Sequence, residues 1–317
     1  MKFKFKPGKK DQVIDLGLNT GIPGKNQRIL NKDGSFNIER RGIPFLSSFS
    51  FYHYLISVSW LKFCLIILSS FVIVNVLFAF LYMLGGEGNF EGIVATNEFE
   101  RFLNEFFFST QTFTTVGYGR INPVGIYSNI ISSVESLSGL LSLALATGLL
   151  YGRFSKPVAR IIYSRNALIA PFNDINALQF RIANQRSDHQ MVDVEIDLIL
   201  SVIENDRRRF YNLELEYRKI TFFNSSWTVN HPIGEQSPLW GLTEDNLKES
   251  EAEFLIMLKG FDNTFAQNVH SRFSYTYDEI IWGAEFVKIF GANESGQPMI
   301  ELDKIGDYRI SELNKSG

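Results

Sequence analysis

The chain has 317 residues, 45% of them hydrophobic and 21% charged, and its formal net charge at pH 7 is −3. That length corresponds to about two domains. A content of 29 Phe against 9 Pro excludes a largely disordered chain, and so small a net charge makes nucleic acid an unexpected partner. Cys64 is the single cysteine, which excludes an internal disulfide and a zinc site built from cysteines.

Two segments precede the first long apolar run. Residues 1–44 form an N-terminal segment without the apolar stretch of a signal peptide, and we expect it to be cytoplasmic. The aromatic segment 45–55 predicts a helix along the membrane interface, with an N-terminal extension of the next helix as the alternative. The run 63–84 has no charged side chain and can cross about 30 Å of hydrocarbon, which predicts an outer transmembrane helix over 57–84.

A short Phe-rich segment follows in the linker between the two apolar runs. It lacks Gly and Pro, and it predicts a helix over 99–113 that is too short to cross the membrane. A pentapeptide with two glycines stands directly behind this segment. Its residues are Thr115, Val116, Gly117, Tyr118 and Gly119.

This pentapeptide has the chemistry of a potassium selectivity filter. A potassium ion that crosses a bilayer must lose its water shell, and a ring of backbone carbonyls from several identical chains can replace that water. Carbonyls that all point one way need residues with positive φ, which glycine adopts at little cost. We therefore predict a filter over 115–119, with potassium bound at residues 115–118. A chance Gly-Tyr-Gly turn in an external loop is the alternative.

The second apolar run, 121–152, is interrupted by a single charged residue, Glu135. Its Leu, Ala, Gly and Ser content is typical of closely packed membrane helices and predicts an inner helix over 125–153, with a buried core helix as the alternative. Basic residues lie before the first helix and after the second, whereas acids predominate in the linking segment 85–125. By the positive-inside rule we expect both termini in the cytoplasm and the chain in the cell inner (plasma) membrane.

After Pro157 the pattern changes to short stretches in which polar and apolar residues alternate. The alternation at 178–182, 192–196 and 213–217 predicts strands with one buried face. Turn signals separate these stretches, and residues 157–317 are enough for an antiparallel sandwich or barrel.

Motifs along most of the chain resemble those of the inward-rectifier potassium channels, and most closely their prokaryotic, KirBac-type branch. Besides the filter, the segments that carry this resemblance are 51–60, 153–157, 164–169, 180–186, 237–242 and 278–286. The resemblance implies an α+β membrane protein with a two-helix pore domain over 45–156 and a cytoplasmic immunoglobulin-like β-sandwich over 157–317. It also implies a homotetramer that conducts K+ passively, with no enzymatic activity and no cofactor other than K+ ions in the filter.

Two constrictions can be expected along the pore. Leu143, Thr147 and Tyr151 are four residues apart and lie along one helical stripe. The resemblance gives Tyr151 the position of the family's inner gate, with an interfacial tyrosine anchor as the alternative. The resemblance also aligns a second, cytoplasmic constriction with a group of four residues. They are Ala266, Gln267, Asn268 and Val269.

Positions that are charged in the family predict how the channel interacts with blockers and with lipids. Leu143 stands where strong rectifiers carry an acid, and Asp193 best matches the family's cytoplasmic pore acid, although a solvated strand face is an equal alternative. We therefore expect weak or moderate block by Mg2+ or polyamines. The basic residues at the end of the inner helix imply contacts with anionic or phosphoinositide head groups, with plain positive-inside topology as the alternative. They are Arg153, Lys156 and Arg160.

Other functions remain open at this point. One is a two-helix K+ channel gated by a small cytoplasmic ligand, although no glycine fingerprint of a nucleotide-binding domain follows Pro157. Another is a non-conducting membrane sensor on the same scaffold, against which the complete filter argues. Scattered histidines and the lack of a hydrolase motif argue against an enzyme.

Overall fold

The computed structural model describes residues 28–39, 41–42, 50–155, 159–186, 191–205, 207–292 and 295–315. The chain divides into two compact units, one formed by Arg41–Lys156 and the other by Met1–Arg40 together with Pro157–Gly317. We refer to them as the pore unit and the sandwich unit. Of the expected N-terminal segment, the described residues 28–39 fall within the sandwich unit.

The pore unit is helical. Its elements are α1 (Phe51–Ser57), α2 (Trp60–Leu84), α3 (Glu98–Phe113) and α4 (Ile126–Phe154), with a two-residue ladder of β1 (Phe90–Glu91) and β2 (Asn122–Pro123). Side-chain oxygens cap two of the helices. Ser50 Oγ accepts the His53 N–H at 3.3 Å at the start of α1, and Asn97 Oδ1 accepts the Glu100 N–H at 2.9 Å at the start of α3.

The segment before the outer helix forms a helix of its own. It ends at Ser57, and Val58 and Ser59 have ψ angles of 161° and 154°, which no helix accommodates. The outer helix therefore begins at Trp60 and not at residue 57, and the alternative of one continuous N-terminal extension is excluded. Residues 45–49 of the expected interfacial helix lie outside the described residues.

Within the described residues, α2 and α4 are the two helices long and apolar enough to cross a membrane. Large apolar side chains point away from the rest of the unit, and Leu61 and Leu84 are 72% and 77% exposed. The polar residues Asn75 and Glu135 are, in contrast, fully buried. This distribution fits helices whose outer surfaces meet hydrocarbon or further subunits and not water.

The sandwich unit consists of two five-stranded sheets and short additional strands. The strands of the two sheets are β3 (Ile161–Tyr163), β4 (Ala167–Phe172), β5 (Ile175–Asn184), β6 (Met191–Glu204), β7 (Arg207–Leu213), β8 (Lys219–Phe223), β9 (Ser226–Ile233), β10 (Glu253–Asp262), β11 (Gln267–Thr276) and β12 (Ile280–Trp282). The short strands are β13 (Ala284–Phe286), β14 (Phe290–Ala292), β15 (Pro298–Ile300) and β16 (Tyr308–Ile310), and α5 is Glu244–Glu249.

The first sheet has the order β11-β10-β6-β7, with β8 also paired to β6, and the second has the order β12-β4-β5-β3, with β9 paired to β5. Inward side chains of both sheets form one apolar core. Phe180 and Ile182 of β5 and Ile196, Leu198 and Phe254 of the first sheet are all at most 1% exposed. The expected α+β class with a β-sandwich is confirmed.

The strand predicted over 213–217 is wrong. β7 ends at Leu213, and residues 214–217 contain no strand. The reason lies in the neighbouring pairing, since β7 and β8 both pair with one strand, β6. Residues 214–218 connect these two pairings, so their alternating pattern belongs to a short connection and not to a strand.

Residues 28–38 are held to the rest of the sandwich unit by a buried carboxylate and two ion pairs. The Glu253 carboxylate accepts the backbone N–H groups of Ile29 at 2.7 Å and Leu30 at 3.2 Å. Arg28 and Lys32 approach the Glu279 carboxylate to 2.8 Å and 2.6 Å. Burial alone would raise the pKa of Glu279, but the hydrogen bonds from these two cations hold that pKa below its ordinary value.

His231 is a buried structural residue of the same unit. Its Nδ1–H donates to the Glu214 carbonyl at 2.6 Å, and Nε2 lies 2.7 Å from the Ser237 hydroxyl, which can donate to it. Desolvation lowers the pKa of His231 to about 4, and the bond to the Glu214 carbonyl only partly opposes this effect. The imidazole is therefore neutral at pH 7, and both ring nitrogens are satisfied.

Candidate ion-conducting site

The backbone of the pentapeptide alternates in conformation. Thr115, Gly117 and Gly119 have φ angles of 60°, 51° and 77°, whereas Val116 and Tyr118 between them have no positive φ. In a regular strand successive carbonyls point to opposite sides, and this alternation brings them towards one side instead. The sequence suggested positive φ only at the glycines. Thr115 adds a strained non-glycine position, of the kind that concentrates at functional sites.

The pentapeptide is held at the C-terminal end of the short helix α3. The Gln111 carbonyl accepts the N–H groups of Val116 at 2.9 Å and Gly117 at 3.3 Å, and the Thr112 carbonyl accepts that of Thr115 at 3.0 Å. Carbonyls that a helix end leaves unpaired therefore fix the start of the pentapeptide. The position of α3 consequently sets the position of the carbonyls beyond it.

A buried polar cluster joins α3 to both long helices. Glu135 of α4 has one carboxyl oxygen against the Tyr82 hydroxyl of α2 and the other against the Ser109 hydroxyl of α3. Ser109 Oγ also lies 2.9 Å from Asn75 Oδ1, and Asn75 Nδ2 donates to the Phe71 carbonyl at 2.7 Å. The four polar side chains of Asn75, Tyr82, Ser109 and Glu135 are each 0% exposed. We call these four residues the buried tetrad.

The sequence pattern does not identify the tetrad as part of the site. In the sequence, Glu135 is only an interruption of the apolar run. A lone acid within a membrane helix is itself a functional signal, because its cost in hydrocarbon must be offset by partners. Its partners lie 26 and 53 residues away in sequence, so no spacing rule identifies them.

One turn beyond Glu135, the inner helix touches the backbone of α3. A Cβ atom added to Gly139 would collide with the carbonyl oxygen of Phe113. Gly139 therefore permits a backbone approach that any larger residue would prevent. Glu135 and Gly139 are four residues apart on one face of α4, and together they seat the C-terminal half of α3.

The expected inner-gate residues share one exposed face of α4. Leu143 and Tyr151 are 65% and 74% exposed, and Thr147, also exposed, donates its hydroxyl to the Leu143 carbonyl at 2.9 Å. The helix continues without a break from Ile126 to Phe154. Because these three side chains are exposed, the stripe is available to other copies or to the pore.

Arg153 is partly exposed and makes several intramolecular contacts. Its two terminal nitrogens donate to the carbonyls of Leu55 at 2.6 Å and Val58 at 2.7 Å. Its guanidinium lies 4.6 Å from the ring centroids of both Trp60 and Phe63. Arg153 thus anchors the end of α4 to the junction of α1 and α2, and its expected head-group contact stays a prediction. Arg160 is exposed, and Lys156 lies outside the described residues.

The acids of β6 are neutralised by basic neighbours. Asp193 pairs with Lys219 at 2.8 Å, and Arg218 pairs with Glu195 at 3.0 Å and Asp197 at 2.6 Å. The acids do share the polar side of β6, since their side chains are only partly covered while Val194 is fully buried.

Asp193 does not lie in a regular strand. Its φ is 51°, and the pairing with β10 shifts between Lys259 and Phe261. This β-bulge places Asp193 and Val194 opposite one residue of β10 and turns the Asp193 side chain outward. The alternation of inward and outward side chains that the sequence predicts for 192–196 is therefore interrupted at Asp193.

The expected cytoplasmic constriction falls on the β10–β11 hairpin. Ala266 lies in its turn with a φ of 49°, and Gln267 and Asn268 are exposed at the start of β11. Val269 is only 4% exposed and belongs to the sandwich core, so its assignment to the pore lining is wrong. Ala266, Gln267 and Asn268 are all exposed, so these three residues remain available to a pore.

Comparisons with known proteins agree on one family. The profile of the inward rectifier potassium channel C-terminal domain matches residues 161–312, and an ion channel profile matches residues 67–156. Inward rectifier potassium channel Kirbac3.1 of Paramagnetospirillum magnetotacticum is 38% identical over 288 residues, which cover 89% of this chain and 96% of that protein. G protein-activated inward rectifier potassium channel 4 of Mus musculus is 25% identical over 314 residues, which cover 90% of this chain and 71% of that protein.

Proposed function

Because this chain belongs to the inward-rectifier potassium channel family and is a potassium channel, not an enzyme, we propose that four copies form the conducting pore with residues 115–119 as its filter. Channels of this family are tetramers. The observation that carries the proposal is the alternating backbone of the pentapeptide, with positive φ at Thr115, Gly117 and Gly119. Potassium is the transported ion, and its ligands are the oxygens of residues 115–118.

Rubidium uptake into proteoliposomes, with barium as the blocker, tests this filter. Gly117→Ala forces a side chain into a φ of 51° that costs about 1–2 kcal/mol in each of four chains, so we expect uptake to fall about hundredfold or more. Gly234→Ala is the matched control, because a Cβ there meets nothing within 4 Å and its φ is not positive. Wild-type protein that passes Na+ as readily as K+ would contradict the proposed filter.

We also propose that the membrane is the plasma membrane and that both termini are cytoplasmic. The positive-inside rule supports this orientation, since basic residues flank the outer ends of the two-helix segment. Labelling of cysteines introduced at Lys32 and at Glu87 with an impermeant reagent on intact cells tests it. Reaction at Glu87 and protection at Lys32 is the expected result, and the reverse pattern contradicts it.

The inner gate is proposed at Tyr151. The exposure of its ring and the stripe that it shares with Leu143 and Thr147 support this position. Four such rings can narrow the inner mouth of a tetramer. Tyr151→Ala should therefore raise basal rubidium flux, and an unchanged or lower flux in correctly assembled protein contradicts the gate.

Anionic lipid is proposed to act at the basic end of the inner helix through Lys156 and Arg160. A basic residue near a membrane surface attracts anionic lipid by about 1 kcal/mol. Flux measured with and without anionic lipid, for wild type and for Lys156→Gln with Arg160→Gln, tests this assignment. A lipid response that survives both substitutions contradicts it.

Weak or moderate block by Mg2+ or polyamines is proposed for this channel. Leu143 supplies no acid in the inner helix, and the ion pairs of Asp193, Glu195 and Asp197 with Lys219 and Arg218 reduce the negative field of β6. Currents recorded with spermine on the cytoplasmic side test this expectation. Steep voltage-dependent block at micromolar spermine contradicts it.

A further inference from the structure

The hydrogen count of the buried tetrad determines the state of its acid. Three contacts must be filled: Tyr82 with Glu135, Ser109 with Glu135, and Ser109 with Asn75. Tyr82 and Ser109 bring one hydroxyl hydrogen each. Two hydrogens cannot fill three contacts, so a third must come from within the cluster.

Asn75 cannot supply the missing hydrogen. Its amide nitrogen donates to the Phe71 carbonyl at 2.7 Å, which turns its carbonyl oxygen towards Ser109. A flipped amide would place two carbonyl oxygens against each other at Phe71. The remaining source is the carboxyl group of Glu135, which as a neutral acid donates to Ser109 Oγ while Ser109 donates to Asn75 Oδ1 and Tyr82 donates to the other carboxyl oxygen.

The surroundings of Glu135 favour the same state. Within the part of the chain that the structure describes, Glu135 forms no ion pair, whereas the buried Glu105 of α3 pairs with Arg101 at 3.1 Å. An ionised carboxylate in apolar surroundings without a cation is costly, and a neutral acid with filled hydrogen bonds is not.

The tetrad is connected to the filter through the C-terminal half of α3. Ser109 lies two residues before Gln111 in α3. The Gln111 carbonyl accepts hydrogen bonds from the N–H groups of Val116 and Gly117. Gly139 packs closely against the backbone of Phe113, which lies two residues before Thr115. The inner helix therefore holds the short helix α3 at two successive turns, once by a hydrogen bond and once by close backbone contact.

We infer that Glu135 is a positioning residue that acts as a neutral carboxylic acid, tying α3 to α2 and α4 and thereby setting the spacing of the filter carbonyls. Selectivity for K+ over Na+ depends on that spacing and on the rigidity of the carbonyl ring. The tetrad is thus a determinant of selectivity that never touches the ion. This inference rests on the proposed filter.

The permeability ratio of K+ to Na+, from reversal potentials of the full-length channel in planar bilayers, tests the inference. Glu135→Gln offers an amide that can donate to Ser109 and accept from Tyr82, so its ratio should stay within about twofold of wild type. Glu135→Ala leaves Tyr82 and Ser109 unpaired and should lower the ratio about tenfold. Ser138→Ala is the control on the same helix, since that hydroxyl donates to the Val134 carbonyl of its own helix at 2.8 Å.

Two results overturn the inference. One is an assembled Glu135→Ala tetramer with the wild-type ratio, and the other is a Glu135→Gln channel as poorly selective as Glu135→Ala, which would mean that an ionised carboxylate is needed. If Glu135→Ala does not assemble, Ser109→Ala decides, because it removes the link to α3 and should lower the ratio. An unchanged ratio in Ser109→Ala overturns the inference.

Infrared spectroscopy gives an independent readout that does not depend on conduction. The wild-type tetramer should show the carbonyl stretch of a buried carboxylic acid at pH 7, and Glu135→Gln should lose it. A spectrum without that band in wild type overturns the neutral state. Wild-type channels that do not discriminate K+ from Na+ would instead refute the proposed filter, which keeps the two failures distinct.

Discussion

The pore unit and the sandwich unit place their polar residues in opposite ways. In the pore unit Leu61 and Leu84 are mostly exposed, while Glu135 and Asn75 are fully buried. In the sandwich unit Ile196 and Phe254 are fully buried, and acids such as Asp193 lie outside. The hydrophobic effect organises the second unit, because water surrounds it. In the first unit the surroundings are as apolar as the interior, so polar contacts and close packing must hold the helices together.

The largest expected effect contrasts two apolar residues, one in each unit. Phe254→Ala leaves a cavity in the sandwich core and should cost about 3–5 kcal/mol of unfolding free energy. Leu61→Ala should change stability by less than about 1 kcal/mol in a bilayer or detergent, because Leu61 is 72% exposed. Thermal unfolding of both variants, followed by circular dichroism, measures the difference. Equal losses would contradict the contrast between the units.

The stability of the sandwich unit should depend on pH because of the buried His231. Its pKa is about 4 in the folded chain and ordinary in the unfolded chain, so the unfolded state binds the extra proton between about pH 4 and 6.5. The contribution of His231 to the free energy of unfolding is therefore largest above about pH 6.5. It falls by about 3 kcal/mol as the pH is lowered towards 4. The measurement is the difference in melting temperature between wild type and His231→Gln as a function of pH.

His270, which is exposed on β11, provides the matched control. His270→Gln should leave the pH dependence of melting as in wild type. His231→Gln should flatten it between pH 6.5 and 4. The same slope in wild type and His231→Gln would show that His231 is not the residue that responds.

A smaller effect is expected at the polar anchor of the pore unit. Arg153→Met removes the donors to the Leu55 and Val58 carbonyls, and loss of such buried partners costs about 1–3 kcal/mol. We expect a lower melting temperature of the tetramer. Arg153→Lys should rescue only part of the loss, because an ammonium group lacks the fork that reaches both carbonyls.

The smallest effect is expected at the surface ion pair of the bulge. Lys219 and Asp193 side chains are 57% and 59% exposed, so Lys219→Ala should change stability by less than about 1 kcal/mol. The substitution leaves Asp193 unpaired, which should strengthen spermine block by a factor of a few at low ionic strength and less at high salt. Block that does not change with either the substitution or the salt would place this acid away from the pore.

Much of the candidate site was predictable because its signals are local. The filter pentapeptide, the short helix before it and the stripe from Leu143 to Tyr151 depend on residue types at fixed spacings. The strand pattern predicted β5 and β6 for the same reason. It failed at 213–217, where the alternation belongs to a connection between two pairings with one strand, and at Val269, where alignment alone did not reveal which side of β11 faces the core.

Local residue patterns are sufficient to identify the segments apolar enough to span a membrane, the five residues that carry the filter chemistry and the part of the chain that forms strands, since each depends on neighbours within one helix turn or one strand. Tertiary packing, in contrast, brings Glu135 to Tyr82 and Ser109, and it brings Arg153 of the inner helix to two carbonyls at the junction of α1 and α2. These partners lie 26 to 98 residues apart. Hydrogen bonds across such separations depend on how helices pack and orient, and no periodicity in the chain encodes that packing.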